Sequence, residues 1–204
     1  YTSGTTGNPK GALLRHRGLT NNARYYGSVI GMQAGDVYAH AMPFFHTACC
    51  VMAALGTIQA QAVHAFLPAF DPGRLLELIE QERGQAMLGV PTMLIAMLEH
   101  PDFERRDLSS VRVAVAGGAS VPPEIVRQIE SRLGVTFSIV YGQTEACPLI
   151  SMTRLDDTLD DKASTIGLPM PQCEVKIADP FSGNPVPVGA TGEICTRGYM
   201  VMQE

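Results

Sequence analysis

The sequence predicts an α/β fold, with a mostly parallel sheet flanked by helices and a small antiparallel β unit at the C-terminal end. Two observations lead to this prediction. From about residue 62 to residue 142, short apolar runs alternate with amphipathic segments, which is the order of parallel strands connected by helices. After about residue 170, "QCEVKIADP" and "GEICTRG" alternate apolar and polar residues on either side of a turn-rich connector, which is typical of antiparallel strands.

The α/β part divides into alternating strands and helices. The pattern predicts strands at 62–67, 85–90, 111–119 and 136–142, and helices at 70–84, 91–100 and 122–134. The first of these helices has Asp71 as its N-cap and Pro72 at its first position, and Gly134 ends the third. We expect residues 1–170 to form the α/β part of one large domain and residues 171–204 to begin a small β subdomain.

The composition argues against several classes of protein. The 204 residues are 46% hydrophobic and 17% charged, which is typical of a globular protein. The net charge of −5, with no cluster of basic residues, gives no reason to expect a nucleic-acid partner. The five scattered cysteines indicate reduced thiols, and no apolar run is long enough for an integral membrane segment. We expect a cytoplasmic protein, with peripheral membrane association as the alternative.

The chain begins with "YTSGTTGNPKG", a stretch that predicts a loop. Glycines allow main-chain N–H groups to converge on an anion, and hydroxyls and a lysine add donors and positive charge. The residues of this kind are Ser3, Gly4, Thr5, Thr6, Gly7, Lys10 and Gly11. The stretch is not a Walker A loop, because Lys10 is followed by glycine rather than by serine or threonine. A phosphate-binding loop is the favoured interpretation, and a simple turn is the alternative.

Two further turns follow predicted strands, at the positions where open parallel sheets bind ligands. One is Gly117-Gly118-Ala119, and the other runs from Tyr141 through Gly142 and Gln143 to Thr144 and Glu145. A hydroxyl and a carboxylate at a strand end suit a phosphate and its Mg²⁺, and an aromatic ring could stack on a base. Each residue also has a structural explanation, as a cap, a helix-start carboxylate or a core residue.

Six stretches together carry a specific resemblance. They are "YTSGTTGNPKG", "PFFHT", "GVPTM", "GGASVPPE", "YGQTEACP" and "GEICTRG". In order and spacing they resemble the acyl-adenylate-forming (AMP-binding) enzymes, and most of all the fatty-acyl-CoA synthetases, over essentially the whole chain. The first and fifth stretches are highly specific in combination. The resemblance implies that the opening stretch is the family's phosphate loop and that the chain is an internal segment of a longer enzyme.

The resemblance implies a ligase reaction in two steps. A carboxylate attacks the α-phosphorus of Mg·ATP and expels pyrophosphate, and the thiol of coenzyme A then attacks the acyl-adenylate. The implied contacts are Thr5, Thr6, Gly7 and Lys10 with the leaving pyrophosphate, Thr144 with the α-phosphate, Glu145 with Mg²⁺, Gly117, Gly118, Ala119, Tyr141 and Gly142 with adenosine, and His46 with the acyl carboxylate. The other histidines (His16, His40, His64 and His100) have no partner group in the sequence and are expected to be surface or packing residues.

Parts of the family pattern are missing. The resemblance implies that the ribose-binding aspartate, the hinge and the C-terminal lid domain with its lysine lie beyond Glu204, and that a further region precedes the phosphate loop. Because the second step needs the lid to rotate, we expect this fragment alone to be inactive.

The identity of the acid is less specific in the sequence. The apolar segment 43–59 and the wall at 89–91 are candidates for an acyl pocket, although an apolar helix beside a sheet is usually core. We favour a medium- or long-chain fatty acid, with aryl acids left open.

Two other functions also remain open. One is a carrier-protein-loading adenylation domain, although segments 43–59 and 111–121 contain no acidic residue to hold an ammonium group. The other is a non-catalytic nucleotide-binding module.

Overall fold

Nine strands form two sheets in the computed structural model, which describes residues 1–2 and 7–204. The strands are β1 (Val37–His40), β2 (Val63–Phe66), β3 (Ala86–Gly89), β4 (Val113–Gly117), β5 (Thr136–Gly142), β6 (Leu149–Met152), β7 (Leu168–Pro169), β8 (Cys173–Ala178) and β9 (Glu193–Gly198). The large sheet has the order β2-β1-β3-β4-β5-β6-β7, and β8 pairs with β9 separately. Strands β1 to β5 are parallel neighbours, whereas β6, β7 and the β8–β9 pair are antiparallel. The predicted fold class is therefore confirmed.

Helices cover both faces of the large sheet. They are α1 (His16–Val29), a π-helical segment (Ala48–Leu55) that runs into α2 (Gly56–Ala60), α3 (Pro72–Gln81), α4 (Pro91–Leu98), α5 (Pro123–Leu133) and the short α6 (Leu159–Ser164). None of the described helices is both long and apolar enough to cross a membrane.

The large sheet has a hydrophobic core on each of its faces, and strand β4 contributes side chains to both. Ala114 and Ala116 point to the face covered by α3, α4 and α5, and Val113 and Val115 point to the face covered by α1 and the π-helical segment. Because successive side chains of a strand alternate between faces, a strand buried on both sides reads as one continuous apolar run. This is why "VRVAVAGGA" is recognisable as a central strand.

Local signals explain the elements that the sequence predicts well. The carboxylate of Asp71 accepts a hydrogen bond from the Arg74 N–H (2.8 Å), which caps α3 as expected. Helix α5 ends at Gly134, whose φ of +66° is a conformation that glycine adopts at little cost. The sequence patterns did not predict helix α1, the short strand β1 or the antiparallel strand β6.

A pair of histidines, one buried and one half-buried, joins β1 to β2, which corrects the expectation that neither residue has a partner. The Nε2 atoms of His40 and His64 are 2.5 Å apart, and His40 is fully buried. The Met42 N–H donates to Nδ1 of His40 (2.9 Å), so the proton of neutral His40 is on Nε2 and is donated to His64. Burial lowers the pKa of His40 to about 4 and also lowers the pKa of His64.

We predict that this pair makes the fold sensitive to acid. In the unfolded chain histidine takes up a proton near its ordinary pKa of about 6.5, whereas folded His40 does so only near pH 4. The unfolded state therefore binds more protons between these values, and stability falls as the pH is lowered through this window, by on the order of 2–3 kcal/mol for His40. The facing groups Cys49 and Tyr38 stay neutral there, because burial raises the pKa of both.

The measurement is urea unfolding of the parent, His40→Gln and the control His16→Gln between about pH 4 and pH 8. His16 is exposed at the start of α1, so its replacement should leave the acid dependence unchanged. The His40→Gln variant should lose much less stability on acidification than the parent. Superimposable pH profiles of parent and His40→Gln would contradict the prediction.

A buried lysine ties α6 to α5 and β5. The side chain of Lys162 is 4% exposed, and its Nζ donates to a carboxylate oxygen of Glu130 (3.0 Å) and to the Leu155 carbonyl (3.1 Å). The same Glu130 oxygen accepts a hydrogen bond from the Phe137 N–H (2.9 Å). Removing the ammonium group would leave a partly buried carboxylate without its charge partner.

We expect Lys162→Met to lower the free energy of unfolding by about 2–4 kcal/mol, since it keeps the apolar stem but leaves Glu130 unpaired. The matched control is Arg197→Met, which breaks the ion pair between Arg197 on β9 and Glu174 on β8. Both partners of that pair are exposed, so its loss should cost less than about 0.5 kcal/mol. Equal losses for the two variants in urea unfolding would show that the Lys162 pair is no stronger than a surface pair.

Candidate functional site

A cavity of about 910 Å³ opens beyond the carboxyl ends of the central parallel strands. Its walls come from five parts of the chain: the opening residues, the loop after β1, the ends of β3 and β4, and the turn after β5. They include Thr2, His46, Gly89, Gly117, Gly118, Gly142, Gln143, Thr144 and Glu145. This is the edge where open parallel sheets bind ligands.

A second, smaller cavity of about 410 Å³ adjoins the first. It lies between the turn after β4, the end of β5 and the segment 163–166 at the C-terminal end of α6. Gly118 and Gly142 border both cavities, whereas Ala119 and Tyr141 border only the smaller one. The two cavities share these wall residues and are together called the depression, and a half-buried tyrosine borders the smaller one.

Two main-chain hydrogen bonds join Thr2 and Lys10, the two ends of the opening loop, beside the large cavity. The Thr2 N–H donates to the Lys10 carbonyl (2.8 Å), and the Lys10 N–H donates to the Thr2 carbonyl (3.1 Å). Thr2 lines the cavity, while Lys10 is exposed beside it and does not itself form the wall. Gly7 is also exposed, and the predicted phosphate ligands Thr5 and Thr6 lie outside the described residues.

Main-chain hydrogen bonds bring this stretch close to the turn that contains Glu145. The Leu13 N–H donates to the Glu204 carbonyl (2.8 Å), and the Gln203 N–H donates back to the Leu13 carbonyl (2.8 Å). The neighbouring Met202 N–H donates to the Glu145 carbonyl (2.8 Å). The segment 202–204 thus bridges two regions that are more than a hundred residues apart in the sequence.

The turn after β5 depends on a close approach of two backbones. The Gln143 N–H donates to the Pro148 carbonyl (2.8 Å), which closes the base of the turn at 144–146. Gly142 lies against the same carbonyl, and a Cβ atom there would collide with it. Thr144 and Glu145 are held half-buried in the cavity wall as a result.

A second close approach fixes the turn after β4. A Cβ atom on Gly117 would lie 2.7 Å from the carbonyl oxygen of Val140 on β5, so only glycine fits without displacing a strand. Gly118 follows with a φ of +79°. Together these conformations leave the exposed Gly118 and Ala119 facing the depression, where their main chain is accessible to a ligand.

His46 lines the large cavity at the start of the π-helical segment. Its Nδ1 accepts a hydrogen bond from the Ala48 N–H (3.1 Å), so the proton of the neutral ring is on Nε2. Its carbonyl accepts from the N–H groups of Cys49 and Cys50 (3.0 and 3.1 Å). The ring is therefore oriented by its own main-chain neighbourhood, with an N–H group available at its outer end.

Two groups of residues carry atoms of the kind that bind metal ions. Among the described residues, His40, Cys49 and His64 have donor atoms within 4.8 Å of one another. His40 is unsuited to a metal, because Nδ1 accepts the Met42 N–H and Nε2 carries the proton shared with His64. The Glu145 carboxylate and the Thr144 hydroxyl offer the hard oxygen donors that Mg²⁺ prefers, in a wall that could also hold phosphate oxygens.

Apolar side chains form another part of the large cavity. These are Met42, Phe45, Met52, Leu88, Val90, Met93 and Leu149. Segment 43–59 and residues 89–91, which the sequence indicates as candidate walls, both contribute. Thr2 and Met93 also line the cavity. The sequence contains no individual reason to select these two residues, although both lie inside the motifs "YTSGTTGNPKG" and "GVPTM".

Two curated relatives are similar to this chain over its whole length. A medium-chain acyl-CoA ligase, mitochondrial ACSF2 from Rattus norvegicus, is 37% identical over 212 residues, covering 100% of this chain and 34% of the relative. A feruloyl-CoA synthase from an Amycolatopsis species is 39% identical over 204 residues, covering 100% of this chain and 41% of the relative. The chain therefore spans about a third to two fifths of the length of these relatives.

Solved structures show the same fold. The crystal structure of ATP-bound MatB from Rhodopseudomonas palustris superimposes with a TM-score of 0.88 at 29% sequence identity, covering 100% of this chain and 39% of MatB. The family model described as AMP-binding enzyme matches residues 1–204, that is, the whole of the chain. The protein therefore belongs to the AMP-binding enzyme family.

Proposed function

We propose that the enzyme containing this chain activates a carboxylic acid with ATP and transfers the acyl group to coenzyme A. The single observation that carries the proposal is the convergence of Thr2, His46, Thr144 and Glu145 on one cavity at the carboxyl edge of a parallel sheet. Oxygen donors for a metal and phosphates, an imidazole and an apolar wall are thereby available to one bound ATP and one bound acid.

The first step would be an in-line displacement. A carboxylate oxygen of the acid attacks the α-phosphorus of ATP, and the bond to pyrophosphate breaks. Thr5, Thr6, Gly7 and Lys10 would bind the leaving pyrophosphate, and the Thr144 hydroxyl would donate to the α-phosphate. His46 would orient the acid, since it lines the cavity and its Nε2–H is left as a donor while Nδ1 accepts from Ala48. Mg²⁺ held by Glu145 would neutralise charge on the phosphate oxygens.

The adenosine would lie in the smaller cavity. Tyr141 borders it and would stack on the base, and Gly118 and Ala119 border the same cavity. Gly117 and Gly142 would act indirectly, because their lack of a Cβ atom allows the two turns to approach. In the second step the sulfur of coenzyme A attacks the carbonyl carbon, and AMP leaves with the oxygen that the acid contributed.

For the acid, we propose a medium- or long-chain fatty acid, bound against Met42, Met52, Leu88 and Met93. The apolar wall supports this choice, and a relative named as a medium-chain acyl-CoA ligase agrees with it. An aryl acid is the second candidate, because a relative of similar identity is named as a feruloyl-CoA synthase. The cytoplasmic location stays a prediction.

The proposed function is tested with the full-length gene product that carries this sequence. We expect exchange of labelled pyrophosphate into ATP that depends on a fatty acid, and formation of a thioester when coenzyme A is added. Exchange only with ferulate or a similar acid would favour the aryl alternative. Exchange only with amino acids would indicate a carrier-protein-loading domain, and ATP binding without any exchange would leave a non-catalytic module.

A second experiment tests the role of Glu145. In the full-length enzyme, Glu145→Gln should lower acid-dependent pyrophosphate exchange by about 10²–10³-fold, because it removes a metal-binding charge at the reacting phosphates. Its melting temperature should stay close to that of the parent, since the side chain is half-buried in a cavity wall rather than packed in the core.

The matched control for this experiment is Glu82→Gln, an exposed glutamate at the end of α3, which should leave exchange unchanged. Near-normal exchange by Glu145→Gln would assign Glu145 a structural role instead.

A further inference from the structure

The buried side chain of Asn22 makes a two-point contact with the backbone of Leu149. Asn22 lies on α1 and is fully buried. Its Nδ2 donates to the Leu149 carbonyl (2.9 Å), and its Oδ1 accepts from the Leu149 N–H (3.1 Å). A carboxamide that donates and accepts in this way copies the hydrogen bonding of a peptide group.

Beside Leu149, the Asn22 side chain makes the hydrogen bonds that a neighbouring strand would otherwise make. Leu149 begins β6 and is the cross-strand partner of Gly142 on β5. On the other side of β6, strand β7 pairs only with Ser151 and Met152, so it does not reach Leu149. Asn22 therefore satisfies two buried main-chain groups that the sheet leaves unpaired, and unmade hydrogen bonds of this kind are costly.

The contact joins the two elements that follow the two loops of the proposed nucleotide site. Helix α1 begins soon after the opening stretch that contains Lys10, and β6 begins directly after the turn that contains Thr144 and Glu145. A shift of α1 relative to β6 would change the distance between the loop and the turn. Asn22 is the side chain that joins the two elements by hydrogen bonds at this level.

We infer that Asn22 is a positioning residue for ATP, which sets the spacing between the opening loop and the Thr144–Glu145 turn through Leu149. The inference rests on the proposed adenylation function. Asn22 touches no reacting atom in this scheme. Its effect should appear in the apparent affinity for ATP, because misplacing either loop weakens contacts to the same triphosphate.

Aspartate at position 22 offers a reversible version of the contact. A protonated carboxyl group has one O–H donor and one carbonyl acceptor, so it can restore both hydrogen bonds to Leu149. An ionised carboxylate can only accept, and it would face the Leu149 carbonyl without a donor. Because burial raises the pKa of a carboxyl group, Asn22→Asp should change between these two forms within a usable pH range.

The experiment measures KM for ATP in pyrophosphate exchange by the full-length enzyme at about pH 6 and about pH 8.5, for the parent and three variants. Asn22→Asp should raise KM for ATP about tenfold at the higher pH and return to within about threefold of the parent at the lower pH. Asn22→Leu, which has a similar shape but no hydrogen bonds, should raise KM by a similar factor at both pH values.

The matched control is Asn21→Asp, the same change one residue earlier, where the side chain bonds only to the Arg17 carbonyl of its own helix (2.9 Å). It should behave like the parent at both pH values.

The readout separates positioning from stability. Partial unfolding lowers the concentration of active enzyme, and hence apparent kcat, but leaves KM for ATP unchanged. An unchanged KM in Asn22→Leu would overturn the inference even if Asn22→Asp failed to fold at high pH. If the parent itself showed no exchange, the proposed function would fail and this inference with it, whereas an active parent with unchanged variants would overturn the inference alone.

Discussion

Parallel pairing of β1, β3, β4 and β5 is the constraint on which the site depends. It puts the carboxyl ends of these strands at one edge, so the segments that follow them meet there whatever their separation in the sequence. His46, the turn at Gly117 and the turn at Thr144 each follow a different strand. Their chemical types differ, but a single geometric rule brings them together.

Glycine makes this convergence tight enough to be useful. At Gly117 and Gly142 the neighbouring backbone occupies the space that a Cβ atom would need. These positions therefore control the width of the cleft between two turns, while the side chains that face a ligand lie a few residues away. A substitution at either glycine would push the neighbouring backbone away and so alter the geometry of the site. It would not change the chemical identity of any functional group.

Sequence patterns predicted the parts of the structure that local signals determine. Asp71 and Pro72 marked the start of α3, apolar runs marked β3, β4 and β5, and the glycine-rich turns pointed to the edge of the sheet. Strand β1 ("VYAH") has too few residues to show a recognisable strand pattern. It also lies between β2 and β3 in the sheet, although it precedes both in the chain.

Contacts between distant residues were not predictable in this way. The pairing of His40 with His64 and of Asn22 with Leu149 requires knowledge of which strand lies beside which, and a single sequence contains no local signal for that. The motif residues were recognised through their type and order.

The bridge formed by residues 202–204 has a consequence for how the sequence can vary. Its links to Leu13 and Glu145 use only main-chain N–H and carbonyl groups. The side chains of Leu13, Met202 and Gln203 can therefore be exchanged without removing a link, and neutral drift at these positions would keep the spacing of the cleft. Proline is the exception at all three, because it lacks the N–H group that each link uses. An alanine scan would thus miss this element entirely, and a proline scan would find it.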